Sequence, residues 1–162
     1  MKAFTEHLKE FSFYEDAKKQ LHQGKTIAVS GCASAQKCQM IYAQGSDYTF
    51  KIVVAASDIK AKELYEDYLF FDSDVVVFPA KDYIFFQADI RGREMTRERM
   101  ICYRKILSGE PLTIITTPDT FMAPVLPLDV LKENCIHISK ESLVEENAIA
   151  QKLVRMGYEK KI

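Results

Sequence analysis

Four short runs of β-branched and apolar residues, each followed by a stretch with helical spacing, constrain this chain more than any other feature. They are "KTIAVSG" from Lys25, "FKIVVAAS" from Phe50, "DVVVFP" from Asp74 and "PLTIITT" from Pro111. Between them, "AQKCQMIYAQG" predicts a helix ending at Gly45. Ser57 or Asp58 can cap a second helix running to about Phe70, with Ile59, Leu64, Tyr65 and Leu69 facing inward. "REMTRERMICYRKILSG" predicts a third helix, with Met95, Arg99, Cys102 and Ile106 in one row, Met100, Tyr103 and Leu107 in the next, and an end at Gly109. Strands alternating with helices of this length require right-handed crossovers, which place the strands in a parallel sheet covered on both faces. The expected fold is therefore α/β and doubly wound. The second run, almost continuously apolar, suits a strand buried on both faces.

The flanks read differently. Residues 3 to 23 form one or two short helices that act as a lid, with Gly24 suited to a C-terminal cap. Thr117, Pro118 and Asp119 make a helix start, because proline at the first helical position forfeits no hydrogen bond. Pro124 and Pro127 then mark a boundary. Beyond it "CIHIS" predicts a short strand and "SLVEENAIAQKLVRMG" a helix, the opening of a second unit. The expected division is 1–24, 25–127 and 128–162.

Composition narrows the function. Of 162 residues, 48% are hydrophobic and 28% charged, and the net charge of -1 supplies no basic field to draw the chain onto a phosphate backbone. Its apolar runs are a few residues long, against the roughly 20 needed to cross a bilayer, and the first residues lack the pattern of a secretion signal. A cytoplasmic protein without membrane contact is expected. Cys32, Cys38, Cys102 and Cys135 form no C-x-x-C pair, and His7, His22 and His137 are far apart, so the cysteines read as reduced, mostly buried thiols and no metal site is expected.

"AVSGCASAQKC" carries the one recognisable trace of chemistry. A phosphate-binding loop reads G-x-x-x-x-G-K-[ST], its second glycine letting the backbone curl around phosphates, its lysine meeting their charge and its hydroxyl holding magnesium. Here Gly31 and Lys37 stand in place. Gln36 replaces the second glycine, and Cys38 replaces the hydroxyl with a thiol, a poor ligand for a hard cation. No carboxylate ends the third or fourth strand to hold the metal, and Asp119 beyond Pro118 is accounted for as a helix-start charge. The expected site is a remnant formed by Gly31, Ser34, Gln36, Lys37 and Cys38. It would take sulfate or phosphate at most, with no cofactor, metal or catalytic residue.

A wider pattern supplies a resemblance. "FPAKDYIFFQADIRGREMTRERM", in which Tyr83, Phe85 and Phe86 crowd a connection that also reads as a loop folded over the sheet edge, occurs in order with the altered loop, "LTIITTPDTFMAPVLP" and "LVRMGYEK". Over about Tyr14 to Lys160 the chain resembles the N-terminal region of the bacterial transcription-repair coupling factors, the Mfd family. That region is similar to the excision-repair helicase UvrB. It consists of half a RecA-like domain, an inserted small domain that recruits UvrA, and the other half.

The resemblance implies that residues up to about Pro127 are the first half-domain and that the inserted one begins near Cys135. It also implies a decayed helicase module without ATPase activity, in a family whose separate C-terminal motor translocates on DNA and pushes RNA polymerase. The implied role is contact with UvrA through the adjoining inserted domain, and with other domains of the same protein to restrain the motor. DNA and polymerase contacts would lie outside this chain. No position here matches the family's UvrA-contacting residues. The UvrB hairpin that separates DNA strands has only a short counterpart near Asp82 to Asp89.

Two other classes stay open. One is a small P-loop-like nucleotide binder or ATPase using Gly31 and Lys37. The other is a nucleic-acid binder using Arg91, Arg93, Arg97, Arg99 and Arg104, although Glu94 and Glu98 at helical spacing make that face self-neutralised.

Overall fold

The computed structural model describes residues 5–80, 89–136, 138–141, 143, 145–156, 158 and 159, with the backbone alone over 89–96. The chain divides into two compact units, Met1–Ala123 and Pro124–Ile162.

The first unit holds a three-stranded, wholly parallel sheet. Strands β1 (Phe50–Val54), β2 (Val75–Val77) and β3 (Leu112–Thr116) stand in the order β1-β3-β2. Ile52 lies opposite Ile114, and Val76 opposite Ile114 from the other side. Ahead of the sheet come a 3-10 turn at His7–Glu10, α1 (Ser12–His22) and α2 (Ser34–Gln44). Helix α3 (Asp58–Leu69) carries the crossover from β1 to β2, and α4 (Asp89–Ser108) the crossover from β2 to β3. A short helix, α5 (Pro118–Met122), closes the unit, with Pro118 in its first turn as expected. The α/β architecture with a parallel sheet is thus present.

Burial explains which residues chose these elements. Leu112 to Thr116 are buried throughout, as the central strand of a sheet covered on both faces should be. On one face, Ile115, Val75 and Val53 pack with Cys38 and Ile41 of α2 and Ala61, Leu64 and Tyr68 of α3. On the other, Leu112, Ile114 and Val76 pack with Cys102 and Ile106 of α4. Tyr68 is fully buried on the first of these faces, and its hydroxyl accepts a hydrogen bond of 3.2 Å from Thr113. Burial pushes that phenol up to about 12. Arg99 also serves the fold, donating to the Pro79 carbonyl at 2.8 Å and lying 4.2 Å above the Phe78 ring. This accounts for one member of the arginine row; the side chains of Arg91, Arg93 and Glu94 lie outside the described residues, as do Tyr83, Phe85 and Phe86.

Four expectations are corrected. The run "KTIAVSG" joins no ladder: residues 25–30 are irregular and Val29 is 53% exposed. Strand propensity is a preference for a pleated, packed surface, and without a neighbouring strand it forms none. Second, β1 is half-buried on one face and exposed on the other, its residues alternating between the two. Among the described residues, Cys102 and Ile106 of α4 pack on β2 and β3 and not on the same face of β1. Third, α3 turns Ala61, Leu64, Tyr65 and Tyr68 inward, while Ile59 and Leu69, both expected inside, are 71% and 42% exposed. Two positions before Ala61 rotate a side chain by about 200° around the helix. Fourth, no strand forms among the described residues of "CIHIS"; His137 lies outside them.

The second unit contains α6 (Leu128–Asn134), which the sequence pattern did not single out, and α7 (Glu146–Arg155). Lys152 Nζ donates to the Cys135 carbonyl at 2.9 Å, tying the second of these helices to the residue that follows the first. Among the described residues no helix is long and apolar enough to cross a membrane.

Candidate functional site

The loop between residues 25–30 and α2 is where the sequence placed its remnant site. Gly31 has φ +81°, a left-handed conformation that glycine adopts without the strain a Cβ would bring. Such a turn redirects the chain into α2, whose first hydrogen bond runs from Lys37 N–H to the Ala33 carbonyl at 3.0 Å. Ser34 opens the helix and is exposed. Gly31, Gln36 and Lys37 are thus gathered at one helix N-terminus, where unpaired N–H groups and the helix dipole favour an anion.

Gln36 alters what that end can do. Its side-chain carbonyl oxygen accepts from the Ala33 backbone N–H at 2.9 Å. One donor that could have faced a phosphate is therefore satisfied by the chain itself, in the manner of the glutamine of a capping box. Lys37 is exposed, and its ammonium forms no ion pair among the described residues.

Cys38 does not belong to the site. It is fully buried in the core cluster, and its thiol points to the Leu64 carbonyl of α3 at 3.9 Å. Burial pushes this thiol up from its ordinary value. The position that would hold a magnesium hydroxyl in an intact loop is here a core position. That corrects its place in the remnant: Gly31, Ser34, Gln36 and Lys37 come together and Cys38 turns away. Of the other cysteines, Cys102 is also buried, with its thiol pushed up to about 11 by desolvation, whereas Cys135 is exposed. All four are free thiols, and no cluster of three potential metal ligands occurs among the described residues.

Beside the loop lies a cavity of about 530 Å³, bounded by Leu21 of α1, by Ile27, Val29 and Gly31, and by Lys37 and Met40 of α2. Its walls are mainly aliphatic. Gln44, one turn beyond Met40, completes the wall. The Gln44 amide nitrogen donates to the Tyr14 carbonyl at 3.0 Å, and the Tyr14 hydroxyl donates to the Ala43 carbonyl at 3.2 Å, a pair of bonds that fixes α1 to α2. Oε1 of Gln44 is buried without a hydrogen-bond partner among the described residues. Sequence reading missed this wall. The signal was present in the spacing of Lys37, Met40, Ile41 and Gln44, which share one face of a helix.

Asp119 is exposed in the first turn of α5, and β2 and β3 contain no acidic residue. The arrangement can hold a small anion at a cationic helix end. No family model, curated protein or solved structure matches the chain.

Proposed function

We propose that this chain is a non-catalytic module that works through protein contact, of the kind found at the N-terminus of transcription-repair coupling factors. The observation that carries the non-catalytic part is the Gln36 side chain bonded to the Ala33 N–H at the mouth of the loop. A group that closes the loop from within competes with the phosphates of a nucleotide, and Cys38, buried against Leu64, offers no ligand to their metal.

The finer reading rests on the resemblance of the ordered sequence segments. By it, the sheet-bearing unit is a half of a RecA-like domain, acting in transcription-coupled nucleotide excision repair. It would recruit UvrA with the adjoining inserted domain, restrain a C-terminal translocase, and leave DNA and RNA polymerase to other parts of the protein. A parallel sheet with helices on both faces supports this reading at the level of fold class.

The competing reading, a small nucleotide binder, is favoured by one pair of observations: Gly31 in the left-handed region and Lys37 free beside a cavity of about 530 Å³. Isothermal titration with magnesium-ATP separates the two. The adaptor reading expects no heat of binding. Micromolar affinity that disappears in Lys37→Ala would refute it. Co-purification of UvrA with residues 1–162, beside a longer version of the chain, tests the partner; capture by neither removes the coupling-factor reading.

A further inference from the structure

Lys37 and Gln44 are seven residues apart, which turns a helix through about 700°, so they lie almost in line on α2, about 10 Å apart along its axis. Both bound the cavity of about 530 Å³, with Met40 and Ile41 between them. The cavity therefore runs from a cation, past aliphatic side chains, to an amide. Each polar end has bonding capacity left. The Lys37 ammonium forms no ion pair among the described residues. Gln44 is only 7% exposed, and while its nitrogen donates to the Tyr14 carbonyl, Oε1 is buried with no partner among the described residues. Turning the amide over does not relieve this, because its oxygen would then face the Tyr14 carbonyl. Buried acceptors are nearly always bonded, so this end of the wall calls for a donor.

We propose that this cavity binds a medium-chain aliphatic carboxylate carrying a neutral hydroxyl at its far end. The carboxylate lies against Lys37 and the N–H groups that open α2, and the hydroxyl donates to Gln44 Oε1. A cavity of this volume is within the range of small-ligand sites. Its described walls hold no carboxylate and no aromatic ring, which selects an anion over a cation and a flexible chain over a nucleobase seeking a ring to stack on. At the mouth, Gln36 already occupies the Ala33 N–H, and a carboxylate asks for fewer donors than a row of phosphates. Ends about 10 Å apart correspond to a chain of roughly eight to ten carbons. All the lining residues belong to the first unit. The site does not depend on the adaptor reading, and failure to capture UvrA leaves it standing.

The probes are 10-hydroxydecanoate, decanoate and 1,10-decanediol, each below the concentration at which it self-associates. Titration calorimetry on the whole chain is expected to show 10-hydroxydecanoate filling one site. Decanoate, which brings no donor to Gln44, should bind at least fivefold more weakly. This comparison leaves the protein unaltered, and so does not depend on a Gln44 variant that would also lose the bond to Tyr14. Lys37→Ala, at an exposed position, should weaken 10-hydroxydecanoate at least fivefold and leave 1,10-decanediol unchanged. Methyl NMR should place the ligand-induced shifts at Ile27, Val29, Met40 and Ile41. Equal affinity for decanoate and the hydroxy acid overturns the proposal, as does 10-hydroxydecanoate binding that is indifferent to Lys37→Ala. So does an absence of binding, or unsaturable shifts spread over exposed apolar residues such as Phe11, Ile52 and Met122, which would mark partition onto the surface.

Discussion

Cys38→Ser restores the hydroxyl that a phosphate-binding loop carries after its lysine, so two views of this position predict opposite results. If the position belonged to a nucleotide site, the variant should gain affinity for magnesium-ATP. The structure places the side chain in the core, fully buried, with its sulfur 3.9 Å from the Leu64 carbonyl. The shorter C–O bond draws an oxygen further from Leu64 than the sulfur, beyond the reach of a hydroxyl hydrogen bond. A buried hydroxyl without a partner costs about 1–3 kcal/mol, and the smaller atom also leaves space in the packing between α2 and α3. A loss of roughly 2 kcal/mol is expected, which at a urea slope of about 2 kcal/mol/M lowers the unfolding midpoint by roughly 1 M. Urea unfolding followed by circular dichroism reads this directly, and titration calorimetry on the same sample reads the nucleotide. An unchanged midpoint, or new binding of magnesium-ATP, would refute the placement of Cys38 in the core.

Three further outcomes are expected. The Tyr68 phenol is raised from 10.0 to about 12, so its neutral form is favoured by folding; this stability is complete below pH 10 and is lost as pH rises through 12, amounting to about 2–3 kcal/mol at 1.36 per unit. Alkaline unfolding of Tyr68→Phe should lack that slope. Arg99→Ala removes the bond to Pro79 and the contact with the Phe78 ring, and thermal or urea unfolding should register a loss of roughly 2 kcal/mol, with Arg99→Lys recovering only part. Asp47 is held below the usual carboxylate range chiefly by its hydrogen bond to Lys18, at 2.9 Å, with His22 at 3.1 Å adding to the effect. Its stabilising share is present above the ordinary value of 3.8 and fades as pH falls through the depressed one. A carbon-detected NMR titration should find the Asp47 carboxyl moving back up in Lys18→Ala.

The α/β order was legible because period and length change together along the chain: five-residue β-branched runs cannot bury themselves as helices, and "AQKCQMIYAQ" cannot alternate as a strand. What escaped was set by distant partners. Nothing within "KTIAVSG" reports that none of the described strands pairs with it, and nothing within "FKIVV" reports that the described side chains of α4 pack on β2 and β3 and not on β1. At the loop, the departure of Gln36 from glycine was visible, and so was its position three residues after Ala33, where a glutamine can bond backward. The direction of Cys38 was less plain, although its spacing from Ile41 and Tyr42 put it on the apolar row of α2. The Gln44 and Tyr14 pairing joins residues 30 apart and had no local signature.

The oxygen of Gln36 resting on the Ala33 N–H carries one more consequence. A loop that depends on a bound anion for its shape melts at a temperature that climbs with the anion's concentration, since ligand binding to the native state stabilises it by RT ln(1 + [L]/Kd). A loop furnished with its own internal counterpart keeps its shape without the anion, so phosphate taken up beside Lys37 adds only its own binding term. The melting temperature of this chain should therefore rise by a few degrees at most in buffers of rising phosphate at fixed ionic strength, and the loop should stay ordered in phosphate-free buffer.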